Sequence, residues 1–124
     1  MKERKVSILV VDDDVGTCET LADILGARGY DVTTAESGIE AVEKLKGELF
    51  NVILMDIKMS GINGIETIRE IKKIVYPEVA VIMMTAYVDD ALVTEALREG
   101  AYAVVYKPLD IGRIIKLIES ATAE

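Results

Sequence analysis

Five short runs, apolar or β-branched almost throughout and mostly rich in valine and isoleucine, recur along this chain near residues 6–11, 31–35, 51–55, 79–84 and 101–106. No other feature limits the fold so tightly. Their length and β-branching favour strand over helix, and their lack of in/out alternation suits strands covered on both faces, as in a parallel sheet between two helix layers. Each run is followed by a stretch of helical spacing. Leu21, Ile24 and Leu25 share one face of the first, which Gly29 can stop. Ser37 and Glu40 form a capping-box pattern ahead of Ile39, Val42 and Leu45. Ile65, Ile68, Ile71 and Val75 turn inward on the third, and Pro77 prevents its continuation. Asp89 or Asp90 can cap the fourth, which buries Ala96 and Leu97 and ends at Gly100. Asp110 can cap the last, carrying Ile111, Ile114, Ile115 and Ile118.

A strand and helix repeated five times predicts an α/β fold. Right-handed crossovers leave few arrangements, and a common one is a doubly wound five-stranded parallel sheet of order 2-1-3-4-5, the flavodoxin-like (βα)5 three-layer sandwich. With 124 residues, the expectation is one domain over 1–124. Ligands of such sheets sit beyond the strand carboxyl ends, where the strand order reverses between strands 1 and 3.

Composition narrows the chemistry. The chain has no histidine, which excludes Ser-His-Asp triads and most zinc hydrolases. Its one cysteine, Cys18, can form no intramolecular disulfide and reads as a small core residue. With 22 acidic against 14 basic residues and a net charge of −8, it is a poor direct partner for nucleic acid or an anionic membrane. The charged start leads into too short an apolar run for a secretion signal, and the longest apolar stretch, Val79 to Val88, is too short to span a bilayer. A cytoplasmic location is expected.

The strand ends carry the informative side chains. Asp12, Asp13 and Asp14 follow the first run, Asp56 the third, Thr85 the fourth and Lys107-Pro108 the fifth. In a parallel sheet these ends share one edge, so Asp12 and Asp13 neighbour Asp56 while Thr85 and Lys107 close the other side. Two carboxylates about 4 Å apart repel by roughly 4 kcal/mol at an effective dielectric near 20, so the group calls for a cation. Oxygen-only ligands favour a hard ion, and Mg²⁺ commonly combines one or two carboxylates with waters and a phosphate oxygen. Lys107 and Thr85 suit phosphoryl oxygens, and a carboxylate so placed can be a nucleophile. Asp14 reads as a helix cap, and Met55, Met59, Met83 and Met84 as core or loop fillers.

With Asp12-Asp13 after Ile8 to Val11, Asp56 after Ile53 to Met55, then Thr85-Ala86 and Lys107-Pro108, the chain resembles a response-regulator receiver domain, the phosphoacceptor module of two-component signalling, over essentially its whole length. The resemblance implies that Asp56 is phosphorylated by a sensor histidine kinase or a histidine phosphotransfer protein. It implies Mg²⁺, or Mn²⁺ in its place, held by Asp13, Asp56 and the backbone carbonyl of Lys58, with Asp12 acting through a metal-bound water. Lys107, beside a cis bond to Pro108, would pair with the phosphoryl group. Thr85 would swing toward it, and Ala86 leaves it room. Lys58 and Tyr87 would shape water access to the acyl phosphate. The output would pass by protein contact, to a downstream effector protein or effector domain or by homodimerisation through helix 4, strand 5 and helix 5. The length fits a receiver without an effector, or a piece of a longer chain.

Two positions depart from the family pattern. Ser60 stands where proline is usual, and Val104 where the switch threonine usually has an aromatic partner; Tyr102 and Tyr106 flank it. Three other functions stay on the table at this level. A haloacid-dehalogenase-like phosphatase would need a hydroxyl where Gly16 stands, a non-phosphorylated docking module would have no use for Asp13, Asp56, Thr85 and Lys107, and flavin binding conflicts with the acidic first loop.

Overall fold

The computed structural model describes residues 5–59, 63–74, 79–86 and 90–123. Strands β1 (Ser7–Val11), β2 (Asp31–Ala35), β3 (Val52–Asp56), β4 (Ala80–Thr85) and β5 (Ala103–Tyr106) alternate with helices α1 (Val15–Ala27), α2 (Gly38–Gly47), α3 (Gly64–Ile74), α4 (Asp90–Arg98) and α5 (Ile111–Thr122). All strand pairs are parallel, and the order β2-β1-β3-β4-β5 is the one expected. Expectations resting on Ser60, Val75, Pro77, Tyr87 and Asp89 lie outside the described residues.

Alternation along the buried strands sends residues to two separate cores. Leu9, Val11, Ile53, Met55, Val81 and Met83 meet Ala41, Leu45, Ile65, Ile68, Ile71 and Ala96 from α2, α3 and α4. Ile8, Val10, Val52, Leu54, Ile82 and Met84 meet Cys18, Leu21, Leu25, Ile114, Ile115 and Ile118 from α1 and α5. With both faces covered, every residue of β3 and β4 is buried, which is why those runs are apolar up to Asp56 and Thr85 at their ends. Three layers result, and the strand carboxyl ends form one rim.

Several boundaries move by a residue or two. Asp56 and Thr85 are the last residues of their strands rather than the first beyond them, so the strands themselves fix their main chains. β5 starts at Ala103, leaving Tyr102 outside its alternation, and the Tyr102 hydroxyl meets Ser120 of α5 at 2.8 Å. Asp14, Ser37 and Asp110 accept from the third following backbone N–H of their helices, as caps should. Glu40 reaches back to the N–H of Glu36 at 2.7 Å rather than to that of Ser37, and this bond holds its carboxyl below the usual range. Gly29 and Gly100 end α1 and α4 at φ 94° and 105°. Two expected core positions are wrong: Ile39 and Leu97 are exposed, since each stands one residue off the buried line of its helix, which runs through Gly38, Ala41 and Leu45 in α2 and through Ala96 in α4.

Candidate functional site

Asp12 follows the end of β1, and its N–H donates to the Ala35 carbonyl of β2 at 3.1 Å. Its side chain is buried, with Oδ1 accepting from the Asp14 N–H at 2.9 Å. Asp56 ends the neighbouring strand, its Oδ1 accepting from the Lys58 N–H at 3.1 Å. Asp13 is exposed beside them. The three carboxylates each offer an oxygen within 4.8 Å of the others, a donor set made of hard oxygens that fits a divalent cation. The expected gathering of Asp12, Asp13 and Asp56 is therefore present.

Lys107 leaves the end of β5, where its N–H bonds the Thr85 carbonyl at 2.8 Å. The Lys107-Pro108 bond is cis. Its ammonium does not stay on the far side of the cleft. It reaches across to donate to Asp56 Oδ2 at 3.1 Å and to Asp12 Oδ2 at 2.8 Å, bridging two of the three acids. Thr85 is buried at the end of β4, one position beyond Met84, the registered partner of Asp56. Ala86 after it is exposed.

The electrostatics follow from this bridge. Burial raises the proton affinity of Asp56, and the Lys107 hydrogen bond and charge offset only part of that, so its carboxyl sits above the usual range. For Lys107, burial disfavours the cation, but hydrogen bonds to Asp12 and Asp56 outweigh it and raise its pKa. One ammonium thus faces three carboxylates, leaving net negative charge at a rim that a second cation can neutralise.

Two supports escape a reading by apolar runs. Asn63 Oδ1 accepts from the Glu66 N–H at 2.9 Å while Glu66 Oε1 accepts from the Asn63 N–H at 3.1 Å, a capping box that starts α3 close behind Asp56. The Asn63-x-x-Glu66 spacing is its signal in the sequence. Cys18 is a core residue, as expected, but its thiol also donates to the Asp12 carbonyl at 3.3 Å. Burial first, and then the Asp12 charge, push that thiol up to about 11.

Comparison with known proteins agrees with the geometry. The family model described as a response regulator receiver domain matches residues 8–119. The transcriptional regulatory protein ZraR of Klebsiella oxytoca is 40% identical over 123 residues, covering 99% of this chain. The chain spans only 28% of that relative's length. Among solved structures, a CheY-like response regulator receiver domain protein from Methanospirillum hungatei JF-1 superposes with a TM-score of 0.87 at 30% identity, covering 95% of this chain and 97% of that one. The beryllofluoride-activated NtrC4 receiver domain dimer superposes with a TM-score of 0.86 at 33% identity, covering 93% of this chain and 94% of that one.

Proposed function

Since the chain belongs to the response regulator receiver domain family of two-component signalling, we propose that Asp56 is its phosphoacceptor and that Asp12, Asp13 and Asp56 form its Mg²⁺ site. One observation carries this reading. Three carboxylates converge within 4.8 Å, and the Lys107 ammonium is bonded to the one that ends β3.

In the reaction, an Asp56 carboxylate oxygen attacks the phosphorus of a phosphohistidine on a sensor kinase or a histidine phosphotransfer protein. The P–N bond breaks, the electron pair leaves on the imidazole nitrogen, and an acyl phosphate remains on Asp56. A bound Mg²⁺, or Mn²⁺ in its place, would supply charge neutralisation for the transferring phosphoryl group. Asp13, Asp56 and the Lys58 carbonyl would hold that ion, with Asp12 supporting it less directly. Lys107 exchanges an Asp56 oxygen for a phosphoryl oxygen without leaving Asp12. Thr85 supplies its hydroxyl to the same group. The chain catalyses no turnover beyond its own phosphorylation and dephosphorylation.

The state of Asp56 is passed on by protein contact in the cytoplasm, to an effector protein or domain or to a second copy of the chain through α4, β5 and α5. Leu97, Tyr102 and Tyr106 are exposed there, which supports an interface. Val104, where an aromatic would usually partner the threonine, is partly buried against the core under α2, α3 and α4.

Acetyl phosphate with Mg²⁺ should label the wild type on Asp56, identified by peptide mass analysis, and chelation should stop it. Asp56→Asn should take up no label, and persistent labelling of that variant would sink the assignment. Phosphate ester turnover lost in Asp12→Asn but kept in Asp56→Asn would select the phosphatase reading instead.

A further inference from the structure

Gly64 is the first residue of α3 and is fully enclosed against the end of β3. A Cβ added there would lie 2.5 Å from the Asp56 carbonyl oxygen, 2.8 Å from Ile57 Cα and 2.6 Å from Met83 Cε. All three are well inside the roughly 3.5–4.0 Å of ordinary carbon contacts. The Met83 methyl can swing away, but the other two contacts are main chain. That main chain has little freedom, because the Ile57 N–H is bonded to the Met84 carbonyl of β4 at 2.9 Å. From the other side, the Gly64 N–H donates to the Ile57 carbonyl at 2.7 Å. Ile57 is thus held from both sides, its N–H by β4 and its carbonyl by the start of α3. A side chain at 64 has to push either the helix or that main chain outward.

We infer that Gly64 is a positioning residue of the acceptor site: its missing side chain lets α3 close on the Asp56–Ile57 peptide, which sets the Asp56 carboxylate and the direction of the chain into Lys58. The inference rests on the proposed Mg²⁺ and phosphoacceptor roles of Asp56. Lys107 and the Lys58 N–H each reach Asp56 at 3.1 Å, so a shift of about half an ångström in the carboxylate away from either donor takes that bond beyond normal hydrogen-bond range. The Asn63–Glu66 capping box holds α3 in the position that creates this contact.

The test compares Gly64→Ala with Ile71→Val, which trims the core under the same helix away from the rim. Mg²⁺ dissociation constants are measured by calorimetry with magnesium chloride, and backbone amide shifts by NMR in metal-free protein. Gly64→Ala should weaken Mg²⁺ binding about tenfold or more, the scale of losing support behind a metal ligand. It should also move the amide signals of Asp56, Ile57 and Lys58. Ile71→Val should lower the melting temperature and leave the dissociation constant unchanged. Mg²⁺ binding by Gly64→Ala within twofold of wild type would overturn the inference. So would full recovery in Gly64→Ala with Met83→Leu, which would place the conflict at the methionine alone. If the wild type binds no Mg²⁺, the metal reading falls, and the metal-free amide shifts still decide the role of Gly64. Should Gly64→Ala not fold, Asn63→Ala, which frays the same helix start without adding atoms, should weaken binding severalfold, and unchanged binding there would overturn the inference.

Discussion

Around Asp56 the main chain is tied on both sides, to Met84 of β4 and to Gly64 of α3, and the side chain is tied again by Lys58 and Lys107. Along α4 the ties are few. Ala96 is the one fully buried side chain described on that helix, against five buried residues on α3 and three each on α1 and α5. Leu97 on α4 and Tyr106 at the end of β5 are each more than two-fifths exposed. A site that must place carboxylates to within a few tenths of an ångström is built where backbone is clamped. The surface proposed to report a change lies where a helix can shift at low cost, because local opening is easiest where buried contacts are fewest. Both regions lie on the same sheet and share Thr85 and Lys107 at their border.

The largest expected contrast is in stability. Ile68→Ala, in the core under α3, should cost about 2–5 kcal/mol in denaturant unfolding, since it removes a fully buried side chain and leaves a cavity. Leu97→Ala should change stability by no more than about 0.5 kcal/mol, as surface substitutions generally do. A Leu97→Ala loss comparable to that of Ile68→Ala would mean α4 is anchored as firmly as α3, and the contrast would fail.

A smaller effect sharpens the cost of the clamped site. Asp56 has a raised pKa in the folded protein, so the fold binds its proton more tightly than the unfolded chain does. Ionised Asp56 therefore costs stability above its folded pKa, and the cost disappears below the unfolded value of about 3.9. In chelator, Asp56→Asn should melt at a higher temperature than wild type at neutral pH, and the gain should fade as pH drops through the acid range. Lys107 should keep its bond to Asp12, 2.8 Å in the wild type, which limits the loss on that side. Because Lys107 has a raised pKa, its own contribution is complete at neutral pH and is lost only as pH rises through that pKa. Adding Mg²⁺ should reverse the order by stabilising the wild type. A variant less stable than wild type in chelator at pH 7 would show that the Lys107 bond outweighs the burial of the charge.

The acids and the lysine were legible in the sequence because each stands at the end of an apolar run, and a parallel sheet collects run ends on one rim. Asp12, Asp13, Asp56, Thr85 and Lys107 needed no more than that. The reach of Lys107 to Asp12 was not legible: it spans 95 positions and depends on where a flexible side chain settles between two acids. Nor was the contact behind Asp56, since a glycine carries no pattern of its own and the close approach exists only after α3 has packed. Ile39 and Leu97 failed for a related reason. Helical spacing places a buried stripe only to within about a residue, and packing put it on Gly38, Ala41 and Leu45 in α2 and on Ala96 in α4, which turns their neighbours Ile39 and Leu97 outward.

The smallest effect concerns what still holds α4. Arg69 of α3 reaches Glu99, just past the end of α4, at 3.2 Å and Glu95 at 4.0 Å, with the groups about a third to a half exposed. Such pairs contribute about 0.2–1 kcal/mol, because solvent screens them and two long side chains must be ordered to make them. A double-mutant cycle on Arg69→Gln and Glu99→Gln should give a coupling in that range at low salt. At 1 M salt, where the Debye length shrinks to about 3 Å, it should fall toward zero. That outcome would leave α4 held to α3 by little more than a screened ion pair, in keeping with a helix that can move when Asp56 changes state. A coupling several times larger and indifferent to salt would instead make this pair an anchor, and the output surface would have to be sought elsewhere on the molecule.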